Sequence, residues 1–311
     1  MLNIDRALND DRLMKAMTGL SKPEFNKLTE SFGDESQNEA QNRYETGVEQ
    51  RTIERKPGGG RIGNLESYAT KLFFTLFYFK CYPTFDILGF LFDLNRSNAN
   101  HNIHKFTSIL EKALGRKMVL PERKISNMEE LLEAFPGARE LLIDGTERPI
   151  RRPKDDEKQK KNYSGKKKMH TRKNIIISDK KKRIGYVSPT MNGKRHDYRM
   201  FKEEFPPPSV VFPRGMALWM DSGFAGFKKD YPDTLVMIPK KKPKGKELTD
   251  NAKAWNRIVS GFRVLVEHAI GGVKRFGIVS AKFRNRKDGF DDKVMLVSCG
   301  LWNYPSVVLL N

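Results

Sequence analysis

Two short apolar runs in this chain each end on an aspartate. Leu141, Leu142 and Ile143 lead into Asp144 with Gly145 behind it, and Ala217 to Met220 lead into Asp221 with Ser222 and Gly223 behind. An apolar run of strand length closed by turn-forming residues reads as a buried strand that leaves its last side chain at a sheet edge. Two such strands can set both carboxylates at one rim. That arrangement suits a hard divalent cation such as magnesium, which takes one or two carboxylates together with substrate phosphates. Asp-Gly is also a common turn signal in its own right. At either position the turn reading stands beside the metal reading.

A third acid lies on the most regular helical pattern of the chain, which Asp250 is placed to cap and which reaches to about Phe276. At about 100° per residue, Trp255, Ile258, Val259, Phe262, Val266, Ala269, Ile270 and Val273 share one face. Beside that face Asn256, Ser260, Arg263, Glu267 and Lys274 form a polar stripe within about 60° of arc. A solvated flank of a core helix has the same pattern. Against that reading, the stripe holds one carboxylate between two cations, as suits a metal flanked by phosphates. Gly271 and Gly272 also lie at its end, each costing about 1 kcal/mol relative to Ala in a helix, a penalty expected where something approaches the backbone closely.

The elements that must position these groups are framed by composition. With 311 residues the chain has room for two domains, or for one large domain with an appendage. Its net charge of +20 implies a polyanionic partner, nucleic acid first. Residues 1–50 hold ten acidic and six basic side chains, so the head is not the basic part. Cys81 and Cys299 both sit in apolar sequence and read as small core residues, not as a disulfide or zinc framework. The N-terminus has no apolar h-region, and the most apolar stretch, Leu72 to Phe79, is too short to span a bilayer. Both features point to an intracellular protein.

In chain order, Ser21 and Glu24 form a capping box that opens a helix, and Gly33 is placed to end it near Phe32. Residues 33–63, with Pro57 and Gly58 to Gly60, read as a flexible or partly helical connector. A helix over Leu65 to Lys80 is followed by a second from Phe85 to Phe92, opened by Thr84. After a short turn, Ser97 caps a third helix with Asn98, Asn100, His101, Asn102, His104 and Lys105 near its start. Helix, short turn, and a second helix with polar groups at its N-terminal end is the plan by which a helix-turn-helix reads base edges. Ordinary helical packing shows the same pattern. Asn127 caps a helix that ends before Pro136. Between Arg151 and Lys173 lie eleven basic and three acidic residues, Lys166, Lys167 and Lys168 among them. The run reads as a solvated loop, or as a phosphate-holding loop next to the first acid. Arg172 to Ser178 and Ile184 to Pro189 read as a hairpin turned at Asp179. Gly193, His196 and Asp197 precede a short helix that Asp197 can cap. Leu235 to Ile238 is a short strand, and a second basic loop holding Lys240, Lys241 and Lys242 follows.

Taken together, Ile143-Asp144-Gly145-Thr146-Glu147, Gly193 with His196-Asp197, Met220-Asp221-Ser222-Gly223-Phe224, and the spaced set Arg263, Glu267, Lys274 resemble a DDE transposase of the insertion-sequence-five type. The likeness extends to Pro83-Thr84-Phe85 and to Cys299-Gly300-Leu301-Trp302-Asn303. Where related transposases have a tyrosine separated by two residues from the arginine, this chain has Ser260.

The resemblance implies a mixed α/β, RNase H-like domain: a five-stranded mixed sheet flanked by helices, with Asp144 on the first strand, Asp221 on the fourth and Glu267 on the following helix. An all-α helix-turn-helix region would precede it. The implied division is an N-terminal helical segment and connector over 1–64, the helix-turn-helix over 65–120 and the catalytic domain over 121–311. Asp144, Asp221 and Glu267 would be the catalytic residues and the ligands of two magnesium ions, with manganese as a substitute. The activity would be phosphodiester hydrolysis and transesterification on double-stranded DNA, both terminal inverted repeats and target, by a homodimer in the cytoplasm, associated with the nucleoid if the source is bacterial. DNA contacts are expected from Asn98, Asn100, His101, Lys105, Lys166, Lys167, Lys168, His196, Lys240, Lys241, Lys242, Arg263 and Lys274. The competing readings are a catalytically silent, domesticated DNA-binding derivative and a stand-alone nuclease without the reading helix.

Overall fold

Among the described residues of the first 120, side-chain caps open six helices: α1 (Ile4–Leu8), α2 (Asp11–Thr18), α3 (Lys22–Glu49), α4 (Tyr68–Cys81), α5 (Phe85–Phe92) and α6 (Arg96–Arg116). The computed structural model describes residues 2–53, 63–207 and 212–308. They fall into two units, Met1–Leu120 with Arg275–Val279 and Asn303–Asn311, and Pro121–Lys274 with Ser280–Trp302.

In the first unit α4 is apolar all round. Every residue from Leu72 to Phe79 is buried, as a central helix requires. Rings from α3, α5 and α6 close on it, Phe73 meeting Phe25 edge to face at 6.5 Å and Phe74 meeting Phe92 at 5.0 Å and Phe106 at 6.4 Å. The capping box of Ser21 and Glu24 forms as expected. The helix it opens does not stop at Gly33 but runs on to Glu49. Gly33 packs against the Tyr68 ring, whose Cδ2 would lie 3.0 Å from an added Cβ. The glycine there serves a close helix contact, not a helix end. The first part of the expected connector is thus helix, while its Pro57 and Gly58 to Gly60 stretch lies outside the described residues. Asn95, not Ser97, caps α6, its side chain accepting the Asn98 N–H at 2.8 Å. Cys81, expected in the core, is exposed, because it follows the buried stretch of α4 as the last residue of that helix. Cys299 is buried.

The second unit is built in the order α7 (Met128–Ala134), β1 (Glu140–Pro149), α8 (Asp156–Asn162), β2 (Tyr163–Ser164), β3 (Met169–Ser178), β4 (Ile184–Val187), β5 (Met191–Asn192), α9 (Asp197–Glu204), β6 (Ala217–Met220), a 3₁₀ turn (Ser222–Phe224), α10 (Phe227–Asp230), β7 (Leu235–Met237) and α11 (Asp250–Val273). Helices α12 (Gly277–Ser280) and α13 (Phe290–Val308) close the described chain. The sheet runs β2-β3-β1-β6-β7, with β4 and β5 also paired to β3. Pairs β1/β3 and β3/β4 are antiparallel, and β1/β6 and β6/β7 are parallel. The five longer strands thus lie in the order β4-β3-β1-β6-β7, the mixed sheet expected of an RNase H-like domain. The two-residue strands β2 and β5 bring the total among the described residues to seven.

Successive residues of a strand face opposite sides of the sheet. On one side Leu141, Ile143, Ile175, Ile177 and Leu218 join a buried cluster with Phe201, Phe205 and Phe224. On the other side Trp219 stacks on Phe262 of α11 with ring centroids 3.7 Å apart. Val259, Val266, Ala269, Ile270 and Val273 of that helix are buried as expected, whereas Ile258 is 53% exposed.

Three local expectations change. Strand β1 runs straight through Asp144-Gly145, so Asp144 is in mid-strand and its turn reading fails. Thr249 caps α11 in place of Asp250. His196 holds the N-cap position of α9, which makes Asp197 its first residue.

Candidate active site

The parallel register of β1 and β6 brings the first two acids together. Ile143 pairs with Met220, and the next residue on each strand is an acid, Asp144 on β1 and Asp221 just past the end of β6. Neighbouring strands are about 4.8 Å apart, so the two carboxylates are close neighbours at the rim. Here β6 ends while β1 continues, leaving Asp144 with a strand partner on only one side. Asp144 Oδ1 accepts the Gly145 N–H at 2.8 Å. Asp221 Oδ1 accepts the Gly223 N–H at 2.6 Å, so at this position the turn reading and the rim reading are both correct.

Asp144 and Asp221 line a cavity of about 220 Å³ with Gly145, Glu147, Lys166, Lys167, Asp197, Arg263 and Lys274. Four carboxylates therefore face four cations across a small space. Burial pushes the Asp144 carboxyl up to about 6, and the charges of Asp221 and Asp197 push the same way against the Gly145 bond and Arg263. Burial also lowers the Lys274 ammonium, helped by Lys167 and opposed by Asp144 and Glu147. A larger cavity of about 540 Å³ shares Glu147, Lys166, Asp197 and Asp221, and is further lined by Lys173, Gly193, His196, Gly223 and Lys241.

The expected site residues divide accordingly. Arg263 reaches the acids from α11 and Lys274 from the C-cap position just past it, and Lys166 and Lys167 reach them from the turn between β2 and β3. His196 and Lys241 line the larger cavity. Lys168, in a left-handed turn conformation at φ 51°, lines neither. Lys240 is held through its backbone, its N–H donating to Asn256 Oδ1 at 2.7 Å, and Lys242 pairs with Glu247. Asn256 thereby leaves the polar stripe and becomes an anchor for the second basic loop. In the first unit Asn98, His101 and Lys105 are exposed along one side of α6, and Asn100 is half-buried.

Glu267 does not line the acid cavity. Its side chain is 52% exposed and accepts from Arg263 at 3.3 Å. Among the described residues no three His, Cys, Asp or Glu side chains are grouped as a cation site. The donor chemistry nevertheless fits a hard divalent cation, because two paired carboxylates, one held high by burial, lie open to a polar cavity. The glycine pair at the end of α11 has a different explanation from a ligand's approach. Gly272 faces the Trp302 indole, which occupies the space a Cβ would need, and Gly271 faces open space.

Sequence reasoning missed three members of the site: Glu147, Lys173 and Asp197. Lys173 is opposite Glu147 in the β1/β3 register and on the same face as Ile175 and Ile177. Its Nζ donates to Glu147 Oε1 at 3.0 Å, Asp197 Oδ1 at 3.0 Å and the Arg195 carbonyl at 2.9 Å. Burial pulls the Lys173 ammonium down, but its two carboxylate partners more than offset that and leave it above the usual lysine value. The available signal was the alternation Leu141, Ile143, Gly145, Glu147, which is visible once the strand is carried past the glycine.

Comparison with known proteins bears directly on this arrangement. Residues 143–303 match the family model described as "DDE superfamily endonuclease", and residues 64–116 match "Helix-turn-helix of DDE superfamily endonuclease". The chain is 33% identical over 227 residues to a protein of Microchaete diplosiphon described as "Probable transposase for insertion sequence element IS702", covering 73% of this chain and 76% of that one. No solved structure matches. The superfamily generally uses divalent metal ions. With Asp144 and Asp221 side by side inside the matched region and a helix-turn-helix ahead of it, the chain belongs to the DDE transposase family.

Proposed function

We propose that this protein binds the terminal inverted repeats of its own insertion sequence, cuts DNA strands there and joins them to target DNA. The observation that carries this reading is the pairing of Asp144 with Asp221 in one cavity that is also lined by four cations, Lys166, Lys167, Arg263 and Lys274. Lys166, Lys167, Arg263 and Lys274 would hold the phosphate oxygens on either side of the scissile bond. Fixing the diester against the two acids turns an encounter in solution into a positioned reaction. Two magnesium ions, or manganese in their place, held by Asp144 and Asp221 with Glu267, would supply activation of the attacking hydroxyl and charge stabilisation at the leaving oxygen.

Asn98, His101 and Lys105 on α6 would read base edges, with Asn100 as a supporting contact, while Lys168, His196, Lys240, Lys241 and Lys242 add to phosphate binding. The 1–64, 65–120 and 121–311 segments would then divide into connector, reader and cutter, acting as a homodimer on the two ends of the element in the cytoplasm. The test is single-turnover cleavage, in magnesium, of a duplex made from the DNA flanking the protein's own reading frame. Cutting at the repeat ends is expected, and its loss in Asp144→Asn and in Asp221→Asn.

The second reading is a DNA-binding derivative without cleavage. Glu267 pairs with Arg263 and is not among the residues lining the cavity of the two aspartates, which favours it. Specific binding to the flanking DNA with no cutting in either magnesium or manganese would decide for it.

A further inference from the structure

Lys173 is one of the few charged side chains that the described residues bury, at 8% exposure. A lysine taken out of water is costly unless its charge is paired and its protons are used. Here all three are used, on Glu147, Asp197 and the Arg195 carbonyl. Such a triad is weak evidence for stability, since an apolar group of similar volume often serves as well. The neighbours on its face, Ile175 and Ile177, show that apolar residues fit this side of β3.

What the triad fixes is the wall opposite α11. Strand β1 supplies Glu147, and the start of α9 supplies Asp197. Gly145, next to Asp144, is on the same face of β1 as Glu147. The Asp197 carboxyl occupies the space a side chain at 145 would need, with its Cγ 2.7 Å from an ideal Cβ. Glycine at 145 and lysine at 173 together seat Asp197 in the same cavity as Asp144 and Asp221.

We propose that Lys173 is a positioning residue of the cleavage site, acting through Asp197, whose carboxylate it holds at the open side of the Asp144–Asp221 pair. The proposal rests on the function proposed above. It assigns to Asp197 a place in the cation environment that a helix cap would not have. It also ties the Arg195–Asp197 segment, which lines the larger cavity, to the floor of the sheet.

Three full-length variants test it: Lys173→Met, Asp197→Asn and the double variant. Groups that orient metal ligands typically change metal affinity or activity by about 10–100-fold when removed. Lys173→Met is expected to lower the single-turnover cleavage rate by that order and leave duplex affinity within about twofold. Asp197→Asn should do the same. If the lysine acts through the aspartate, the double variant loses no more than either single one.

The second readout needs no DNA. Mn²⁺ binding, followed by water-proton relaxation, should weaken by about tenfold in Lys173→Met although a positive charge has been removed. If Lys173 only repels the cation, Mn²⁺ binding tightens, and the proposal is overturned. It is equally overturned by wild-type cleavage in Lys173→Met or by losses that add in the double variant. Should Lys173→Met fail to fold, Asp197→Asn decides alone, and normal cleavage with normal Mn²⁺ binding sinks the idea. A wild-type protein that binds Mn²⁺ but does not cut flanking DNA overturns the proposed function and leaves the relaxation measurement to judge Lys173. One that binds no Mn²⁺ overturns both.

Discussion

Replacing Asp144 by asparagine should make the cation-free protein more stable while removing its proposed activity. The carboxyl is pushed up to about 6, by burial first and then by Asp221 and Asp197. A raised folded value means that the charged form opposes folding. The stability available with Asp144 protonated is present in full below its unfolded value of 3.8 and is lost as pH rises through about 6. A shift of roughly two units, at about 1.4 kcal/mol each, bounds the loss near 3 kcal/mol. Asp144 keeps part of its surface open to the cavity, so about 1–3 kcal/mol is the working range.

Asparagine has nearly the same volume and retains an oxygen for the Gly145 N–H, so the gain is not offset by a lost bond. Thermal unfolding in a chelating buffer at pH 4, 6 and 8, wild type against Asp144→Asn, measures it. The variant should melt several degrees higher at pH 8, at about 2–4 °C per kcal/mol, and the gap should close towards pH 4. Comparing the two proteins at each pH cancels every other titrating group. Magnesium or manganese should then raise the wild type alone, by about 2.7 kcal/mol at a hundred times the dissociation constant. Equal melting temperatures at pH 8 without cation, or a gap that does not change with pH, would refute the reasoning.

Glu267→Gln should abolish cleavage and leave stability within about 0.5 kcal/mol, since an exposed ion pair such as Glu267–Arg263 contributes little. Residual cutting by this variant would remove Glu267 from the catalytic set. Lys274→Ala should weaken binding about equally for all duplexes and reduce the slope of log K against log salt by about one, with cleavage persisting at saturating protein. An unchanged slope would place Lys274 outside the phosphate path. On α6, Asn98→Ala and His101→Ala should each cost about 1–3 kcal/mol on the specific site and almost nothing on random duplex. Competition binding checks this, and an unaltered specificity ratio would mean that another element reads the sequence.

How far the sequence reveals this molecule depends on the range of the interaction concerned. Helix starts are local, because a side chain at the cap bonds an N–H two or three residues on. Ser21, Thr84 and Asn127 were therefore legible as caps. Where two polar residues compete for the cap, as at Asn95 and Ser97 or Thr249 and Asp250, local chemistry cannot rank them, and the chosen residue moved by one or two positions. The two aspartates were legible because apolar runs of strand length precede them. Their adjacency, however, is a matter of parallel register across more than seventy residues.

The misjudged residue of the site region was Gly145. Read as a turn, it cut β1 short and hid the alternation that carries Glu147 onto the face of Leu141 and Ile143. Its real function is tertiary, since it leaves room for a carboxylate fifty-two residues later in the chain. The same limit applies on α11. Helical periodicity put Arg263, Glu267 and Lys274 on one stripe, and they are on one. It could not say that Arg263 and Lys274 turn into the acid cavity while Glu267 turns to Arg263, because rotamers are settled by neighbours from other elements. For a site of this kind, residue type and period give the faces. Which groups on a face converge is decided by the small residues that allow close approach and by buried partners such as Lys173.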